Sequence, residues 1–280
     1  MITSLPHLET EQQGPVMIIR LDNEAARNTL TREMRFSLRD VVRQIEDDHT
    51  VRAVYLTAKG KTFCAGGDFR MLQQACEPWP VHRRFRHAAG LFPPLMQLRC
   101  PVVCGVRGTA VGGGMGLALM SDLVIVGDSA QFGAGFYRLG VVPDCLTMFT
   151  LPRMIGLSRT RNFLYTGGTW SAQEAVDNGI ALKAVPDDQV DAEGLALAQK
   201  LAAGPSEVMG LAKQLLLRSF ENSLSEMMDY EDFGQVLAMS SAEFREGLSA
   251  AIEKRPAQHM TAAQALPHND GLPPAVKPGE

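Results

Sequence analysis

The sequence contains no long apolar run, and its first residues do not have the pattern expected of a leader. No apolar stretch in its 280 residues reaches the roughly 18 residues that a membrane span needs. The first residues, MITSLPHLETEQQG, carry Glu9 and Glu11 and no apolar segment, which argues against a signal peptide and against a basic transit peptide. We therefore expect a cytoplasmic chain with no membrane partner.

Cysteine is scarce, and its spacing suggests neither disulfides nor a metal site. The five cysteines include no Cys-x-x-Cys pair, and most of them lie in apolar surroundings typical of reduced, buried thiols. The six histidines fall singly and form no set with metal-ligand spacing. We therefore predict no metal and no permanently bound cofactor.

An excess of positive charge is also missing. The chain has 27 basic and 31 acidic residues, a net charge of −4, and the two signs are well mixed. A nucleic-acid-binding protein usually shows a clustered basic surface, so we expect no nucleic-acid partner. The apolar fraction of 45% is ample for a globular core.

What the sequence does contain is a repeated order of strand, loop and helix. Residues 15–21, PVMIIRL, have a strand pattern, and residues 31–46 place Met34, Leu38 and Val42 on one helical stripe. The segments VRAVYLTAKG and CPVVCGV are further strand patterns, each followed by a glycine-rich loop and a helical pattern. This order predicts an α/β layered core.

From about residue 157 onward the pattern is mainly helical, and Ser171 followed three residues later by Glu174 predicts a capped helix start. We expect residues 1–200 to form the α/β core with the binding site and residues 201–256 to form a helical C-terminal region. No linker separates the two. Residues 257–280 have the composition of a disordered tail.

Two glycine-rich loops, CAGGD at 64–68 and VGGGMG at 111–116, each follow a strand pattern and precede a helix. Neither matches a nucleotide-binding fingerprint. Each could be a simple tight turn. If the loops converge, one backbone N–H from each could instead bind a single carbonyl oxygen as it gains negative charge, which is an oxyanion hole.

Several stretches resemble one family, in the right order over roughly residues 15–256. They are LDNEAARNTLTREM, FCAGGDFRML, CPVVCGVRGTAVGGGMGLALMSDLVIVGDSAQFG, LGVVPD, LPRMIG and TGGTWSAQEAVDNGIALKAV. The chain is similar to the crotonase, or enoyl-CoA hydratase/isomerase, superfamily. The resemblance implies a spiral of ββα repeats, a helical C-terminal trimerisation region, a homotrimer or dimer of trimers, and an acyl-CoA thioester substrate that brings its own coenzyme A.

The resemblance also implies a set of site residues. The two oxyanion N–H donors fall on Gly67 and Gly113, and Asp68 caps the helix that follows the first loop. The other implied substrate-binding positions are Ala26, Asn28, Cys64, Ala65, Gly66, Asp68, Gly112, Gly116, Phe136, Leu139 and Val142. We expect Phe136, Leu139 and Val142 to form an apolar wall beside the reacting carbons.

Two acids that family hydratases use are absent here, because their positions are held by Gly116 and Phe136. Without that acid and base pair, simple hydration is disfavoured. One acid, Asp144, resembles the post-proline acid of double-bond isomerases in the family, and we predict that it is catalytic. Its alternative role is that of an ordinary helix N-cap. Asp122 has the pattern of a structural carboxylate at a helix-to-strand turn.

The expected function is that of an acyl-CoA isomerase that shifts a double bond or rearranges a reactive ring, with Asp144 as the proton shuttle and the two glycine N–H groups holding a thioester enolate. Two alternatives remain open. One is a hydratase, dehydratase or thioester hydrolase with a rewired acid set, and the other is a catalytically silent acyl-CoA-binding subunit.

Overall fold

The structure is a computed structural model, and it describes residues 2–73, 77–88 and 90–264. Its strands are β1 (Ile2–Leu5), β2 (Leu8–Gln13), β3 (Val16–Leu21), β4 (Ala53–Ala58), β5 (Val102–Val106), β6 (Thr109–Val111), β7 (Leu123–Gly127), β8 (Gln131–Gly133), β9 (Thr169–Ser171) and β10 (Lys183–Val185). Its helices are α1 (Arg32–Asp47), α2 (Phe69–Gln73), α3 (Pro78–Ala88), α4 (Phe92–Met96), α5 (Gly113–Leu119), α6 (Thr147–Ile155), α7 (Leu157–Tyr165), α8 (Ala172–Asp177), α9 (Val190–Ala203), α10 (Ser206–Arg218), α11 (Leu224–Ser240), α12 (Ala242–Glu253) and α13 (His259–Gln264). Short 3₁₀ turns cover Glu24–Ala26, Tyr137–Leu139 and Asp187–Gln189. The predicted α/β class is confirmed.

A seven-stranded sheet lies at the centre, in the order β1-β2-β3-β4-β5-β7-β10. The first three strands are antiparallel, whereas neighbours from β3 to β10 are parallel. Every residue of β4 is buried, because parallel strands in a layered fold are covered on both faces. The carboxyl ends of the parallel strands share one edge of the sheet, and this is where α/β folds usually bind ligands.

Helices cover both faces of this sheet. On one face, Ile19 and Leu56 belong to the large core that also contains Leu38 of α1. On the other face, Tyr55 packs in a smaller cluster with Ala198 of α9. The alternation of side chains along β3 and β4 supplies both cores, since successive residues of a strand point to opposite faces.

A second sheet of three short strands, in the order β6-β8-β9, leads into the second glycine loop, because β6 ends at Val111. The strand β9 ends at Ser171, where α8 begins. The Ser171 side chain accepts a hydrogen bond from the Glu174 N–H, and the Glu174 carboxylate accepts one from the Ser171 N–H. The predicted helix cap is confirmed.

A buried ion pair ties the C-terminal helices to the core. Arg52 Nη2 lies 2.7 Å from Glu243 Oε1, and both side chains are almost fully buried. The same guanidinium donates to the carbonyl oxygens of Ala202 (2.9 Å) and Gly204 (2.8 Å). These extra hydrogen bonds compensate the cost of burying the charge, so residues 201–256 dock on the core.

The segment predicted to be a disordered tail is partly helical. Helix α13 spans His259–Gln264. Its start is held by the Gln258 N–H, which donates to Glu246 Oε1 (2.8 Å), and by His259 Nδ1, which lies 3.0 Å from the Glu243 carbonyl oxygen. The disorder prediction is therefore wrong for residues 259–264, since polar groups of α12 order them. Residues 265–280 lie outside the described residues.

The pKa of the Glu246 carboxylate predicts that the stability of this docking of α13 on α12 depends on pH. Hydrogen bonds from Arg255 and then from the Gln258 N–H lower the pKa of Glu246 to about 2 from its usual 4.5. A lowered folded-state pKa stabilises the fold above pH 4.5, and this stabilisation is lost as the pH falls from 4.5 towards 2. We expect Glu246→Gln to lower the urea midpoint at pH 6 and to differ less from the wild type at pH 3. If the urea midpoints of the wild type and of Glu246→Gln differ by the same amount at pH 6 and at pH 3, the assignment is contradicted.

Four of the five cysteines lie in the described residues, and all four are free thiols. Burial raises the pKa of Cys64 to about 12 and that of Cys100 to about 11. The prediction of reduced, buried thiols is confirmed for Cys64, Cys100 and Cys104, whereas Cys76 lies outside the described residues.

Within the described ranges, no helix combines the length and the apolar composition that crossing a bilayer requires. Over the same residues, no three His, Cys, Asp or Glu side chains are grouped so that they could hold a metal ion.

Candidate active site

The two glycine loops lie side by side. The Cys64 N–H donates to the Thr109 carbonyl oxygen (3.0 Å), and the Val111 N–H donates to the Cys64 carbonyl oxygen (3.0 Å). A Cβ built on Gly66 would lie 3.5 Å from the Gly113 nitrogen. The loops therefore converge, and Gly67 directly follows the residue that lies against the Gly113 amide.

Glycine is required at several points of this junction. Gly66 has φ +89° and Gly112 has φ +55°, values that side chains rarely tolerate. A Cβ on Gly114 would collide with the Cys64 carbonyl group. These contacts explain why both loops are rich in glycine. The two backbones approach so closely that no side chain fits between them.

Gly113 is the first residue of α5. The first N–H groups of a helix have no carbonyl partner within the helix and carry partial positive charge. Gly113 is buried, whereas Gly67 is exposed. Of the two predicted donors, one therefore lies in the protein interior and the other at the surface, and their joint role as an oxyanion hole stays a prediction.

A pocket of about 420 Å³ opens beside the first loop. Its lining residues are Ala25, Ala26, Arg27, Thr29, Ala65, Gly67, Asp68, Phe69, Arg70, Thr109 and Val111. The Asp68 carboxylate accepts a hydrogen bond from the Arg70 N–H (3.0 Å) and so caps α2 as predicted. Arg27 and Arg70 bring positive charge to the exposed rim of the pocket. The sequence analysis did not single out Arg70, although it lies only two residues after Asp68.

Asn28 and Cys64 position the loops through hydrogen bonds to other groups of the protein. The Asn28 amide donates to the carbonyl oxygens of Lys59 (2.9 Å) and Thr62 (2.8 Å) and accepts from the Asn23 N–H (2.7 Å). Both side chains are fully buried. The backbone bonds of Cys64 join the two loops, so a direct contact of either side chain with substrate has no geometric support.

Asp144 lies next to the second loop. Its Oδ1 is 3.8 Å from the Cβ position built on Gly113. The alternative role as a helix N-cap is wrong, because α6 begins at Thr147, its cap residue is Leu146, and no side chain caps it. Cys145 (φ +51°) and Leu146 (φ +57°) are both left-handed. This uncommon turn separates Asp144 from the helix.

These features agree with the comparisons to known proteins. A family described as enoyl-CoA hydratase/isomerase matches residues 11–262. The chain belongs to the enoyl-CoA hydratase/isomerase family. It is 35% identical over 248 residues to the 1,2-epoxyphenylacetyl-CoA isomerase of Escherichia coli, covering 87% of this chain and 94% of that protein. It is 29% identical to a Dictyostelium discoideum protein named "Probable enoyl-CoA hydratase, mitochondrial", covering 88% of each.

The fold agrees with solved structures of the same family. The crystal structure of an enoyl-CoA hydratase/isomerase from Cupriavidus metallidurans superposes with a TM-score of 0.87 at 26% identity, covering 92% of this chain and 97% of that one. The predicted crotonase-type fold is confirmed.

In this family member, the position of the first missing acid has no room for a side chain. A Cβ on Gly116 would lie 2.6 Å from the Cys145 carbonyl oxygen and 2.9 Å from Thr147 Oγ1. The left-handed turn after Asp144 therefore fills the space beside Gly116, where the resemblance to the family implies an acid in hydratases. Gly116 is fully enclosed and lies behind this turn, so its predicted contact with substrate also lacks geometric support.

The expected apolar wall is only partly present. Phe136 is buried, and its ring lies 3.7 Å from a Cβ built on Gly112. Leu139 is 51% exposed and Val142 is 74% exposed, so only Phe136 of the three is buried in this chain. Leu139 ends the 3₁₀ turn Tyr137–Leu139, and Val142 follows that turn. Their contact with substrate stays a prediction. Leu30, which the sequence analysis did not single out, lies closer to the hole, 3.2 Å from a Cβ on Gly113.

Asp122 has the structural role that its pattern predicts. Its Oδ2 accepts a hydrogen bond from the Val102 N–H (2.7 Å) and pairs with Lys213 Nζ (2.7 Å). It lies between α5 and β7, where it joins the sheet to α10. Asp122 therefore lies away from the glycine loops, whereas Asp68 belongs to the first loop and Asp144 lies beside the second.

Proposed function

We propose that the chain is an acyl-CoA isomerase that shifts a double bond, or rearranges a reactive ring, through a thioester enolate. In this reaction the thioester oxygen lies between the N–H groups of Gly67 and Gly113. Each such donor typically contributes about 3 kcal/mol to transition-state stabilisation. The 420 Å³ pocket holds the coenzyme A portion of the substrate, with Arg27 and Arg70 near its phosphates.

Asp144 then acts as the single base. Its carboxylate removes a proton from the carbon next to the thioester, and the C–H electron pair forms the enolate. The resulting carboxylic acid returns the same proton to the carbon at the far end of the allylic system, which restores the carboxylate and moves the double bond. No water, oxidant or second acid is consumed.

The observation that carries this proposal is the position of Asp144 Oδ1, 3.8 Å from the Cβ site on Gly113, together with the residues at the two hydratase positions. Gly116 and Phe136 cannot act as acids. The name of the Escherichia coli relative supports isomerase chemistry, whereas the name of the Dictyostelium relative refers to hydration.

The test is turnover of a 3-enoyl-CoA deuterated at the carbon next to the thioester. One shuttling carboxylate predicts conversion to the 2-enoyl-CoA with partial retention of deuterium at the far carbon and no net uptake of water. An epoxy-arylacetyl-CoA tests the ring rearrangement. Accumulation of a hydrated product would support the hydratase alternative. Tight binding of CoA esters without turnover of any of these substrates would support the silent subunit.

The proposal includes self-association, as the resemblance to the family implies. Among residues of α11, only Gly234 is buried, while Phe233 (70%) and Leu237 (62%) are largely exposed. An apolar helix face of this kind usually marks an interface.

We expect the wild-type chain to sediment at about three times its monomer mass of 30.5 kDa, or about six times for a dimer of trimers. Phe233→Asp should shift it towards the monomer, because a charge would be buried in the interface. The neighbouring exposed substitution Asp232→Asn is the control and should leave the mass unchanged. A wild type that stays monomeric at all concentrations would contradict the trimer.

A further inference from the structure

Cys145 lies over the same glycine as Asp144. A Cβ on Gly113 would be 3.0 Å from Cys145 Sγ and 3.8 Å from Asp144 Oδ1. Both atoms therefore lie around the Gly113 position, and hydrogen bonding with the Asp144 side chain is among the causes that raise the pKa of the Cys145 thiol. An ionised carboxylate only accepts hydrogen bonds, so the thiol is the donor in this pair.

The backbone that carries this thiol has an uncommon conformation. Cys145 and Leu146 are consecutive left-handed residues, and such a conformation persists only where the surroundings impose it. Gly116 provides the contact, because a Cβ there would lie 2.6 Å from the Cys145 carbonyl oxygen and 2.8 Å from its Cβ. The backbone and the Cβ of Cys145 are therefore packed against α5.

The other ionisable groups that act on Cys145 come from two further elements. They are Arg35 of α1 and Cys64 of the first glycine loop. Burial, and then the charge of Asp144, raise the pKa of Cys145 well above its usual value, and Arg35 opposes this rise. The thiol therefore keeps its proton and remains a donor at neutral pH.

We propose that Cys145 is a positioning residue, whose thiol donates a hydrogen bond to the Asp144 carboxylate and keeps that carboxylate beside the Gly113 amide. The catalytic meaning of this contact rests on the proposed function, whereas the hydrogen bond itself does not. Donation to a carboxylate favours its charged form, so the thiol would keep Asp144 available as a base.

The hydrogen bond can be tested without any substrate. The S–H stretching band of Cys145 is identified in the infrared spectrum by its loss in Cys145→Ala. We expect this band to move to higher frequency in Asp144→Ala, because the acceptor is gone. An identical band in the wild type and in Asp144→Ala would overturn the inference, even if the isomerase activity is found.

Kinetics then tests the consequence. Cys145→Ala should lower kcat about fivefold with little change in KM, as expected for the loss of one hydrogen bond. The acid limb of its kcat/KM profile should move to higher pH, and Cys145→Ser, which keeps a donor, should restore the wild-type profile. A Cys145→Ala profile with an unchanged acid limb would refute the positioning role. Absence of turnover in the wild type would refute the proposed function. The infrared result would still decide whether the hydrogen bond between Cys145 and Asp144 exists.

Discussion

Asp144→Asn is expected to lower kcat by roughly two to four orders of magnitude while the affinity for CoA esters stays nearly constant. Asparagine keeps the size and the hydrogen-bonding capacity of the side chain but cannot take up a proton from carbon. The oxyanion donors are backbone groups of Gly67 and Gly113, so the substitution leaves them intact. The loss should therefore appear in turnover and not in binding.

Stopped-flow turnover of a 3-enoyl-CoA, combined with calorimetric titration of a non-reactive CoA thioester, separates the two quantities. Asp188→Asn is the matched control, because it removes one carboxylate charge from an exposed 3₁₀ turn and should leave both unchanged. Wild-type rates in Asp144→Asn would eliminate this residue as the base. A parallel loss of affinity and rate would instead indicate a collapsed site.

The glycine loops could be predicted from the sequence because their signal is local. A strand pattern that ends in several glycines and continues into a helix specifies both the turn and its position at the edge of the sheet. The convergence of the two loops could also be predicted, since two such units in consecutive repeats end at the same edge of the sheet. The structure adds the distance, with Gly66 lying against the Gly113 amide.

Other features depend on contacts that no local pattern encodes. The hairpin of β1 and β2 was missed, since LETEQQ is mostly polar and only Leu8 and Thr10 are buried. Its pairing with β3 decides its structure. The left-handed turn at Cys145 was missed for the same reason, because it results from packing against Gly116. Sequence reasoning therefore identified Asp144 but not the conformation of the two residues that follow it.

Gly114→Ala is expected to separate the two loops and so to lower both activity and stability. Gly114 has a helical backbone, where alanine alone would add up to about 1 kcal/mol of stability. Its Cβ, however, would lie 2.8 Å from the carbonyl carbon of Cys64, a backbone atom that cannot move without breaking the bonds between the loops. Overpacking of this kind costs about 1–3 kcal/mol, and loss of one oxyanion donor costs roughly 100- to 1,000-fold in kcat.

The control for this variant is Gly234→Ala, because the nearest atom to a Cβ there is Leu215 Cδ1 at 3.2 Å, the flexible end of a side chain. Both variants add one methyl group to a helix, so the gain in helix propensity is similar and only the neighbour differs. The urea midpoint and kcat should both fall for Gly114→Ala, whereas for Gly234→Ala kcat should stay near wild type and the urea midpoint should not fall. A fully active Gly114→Ala protein would show that the two loops need not touch for the oxyanion to be held.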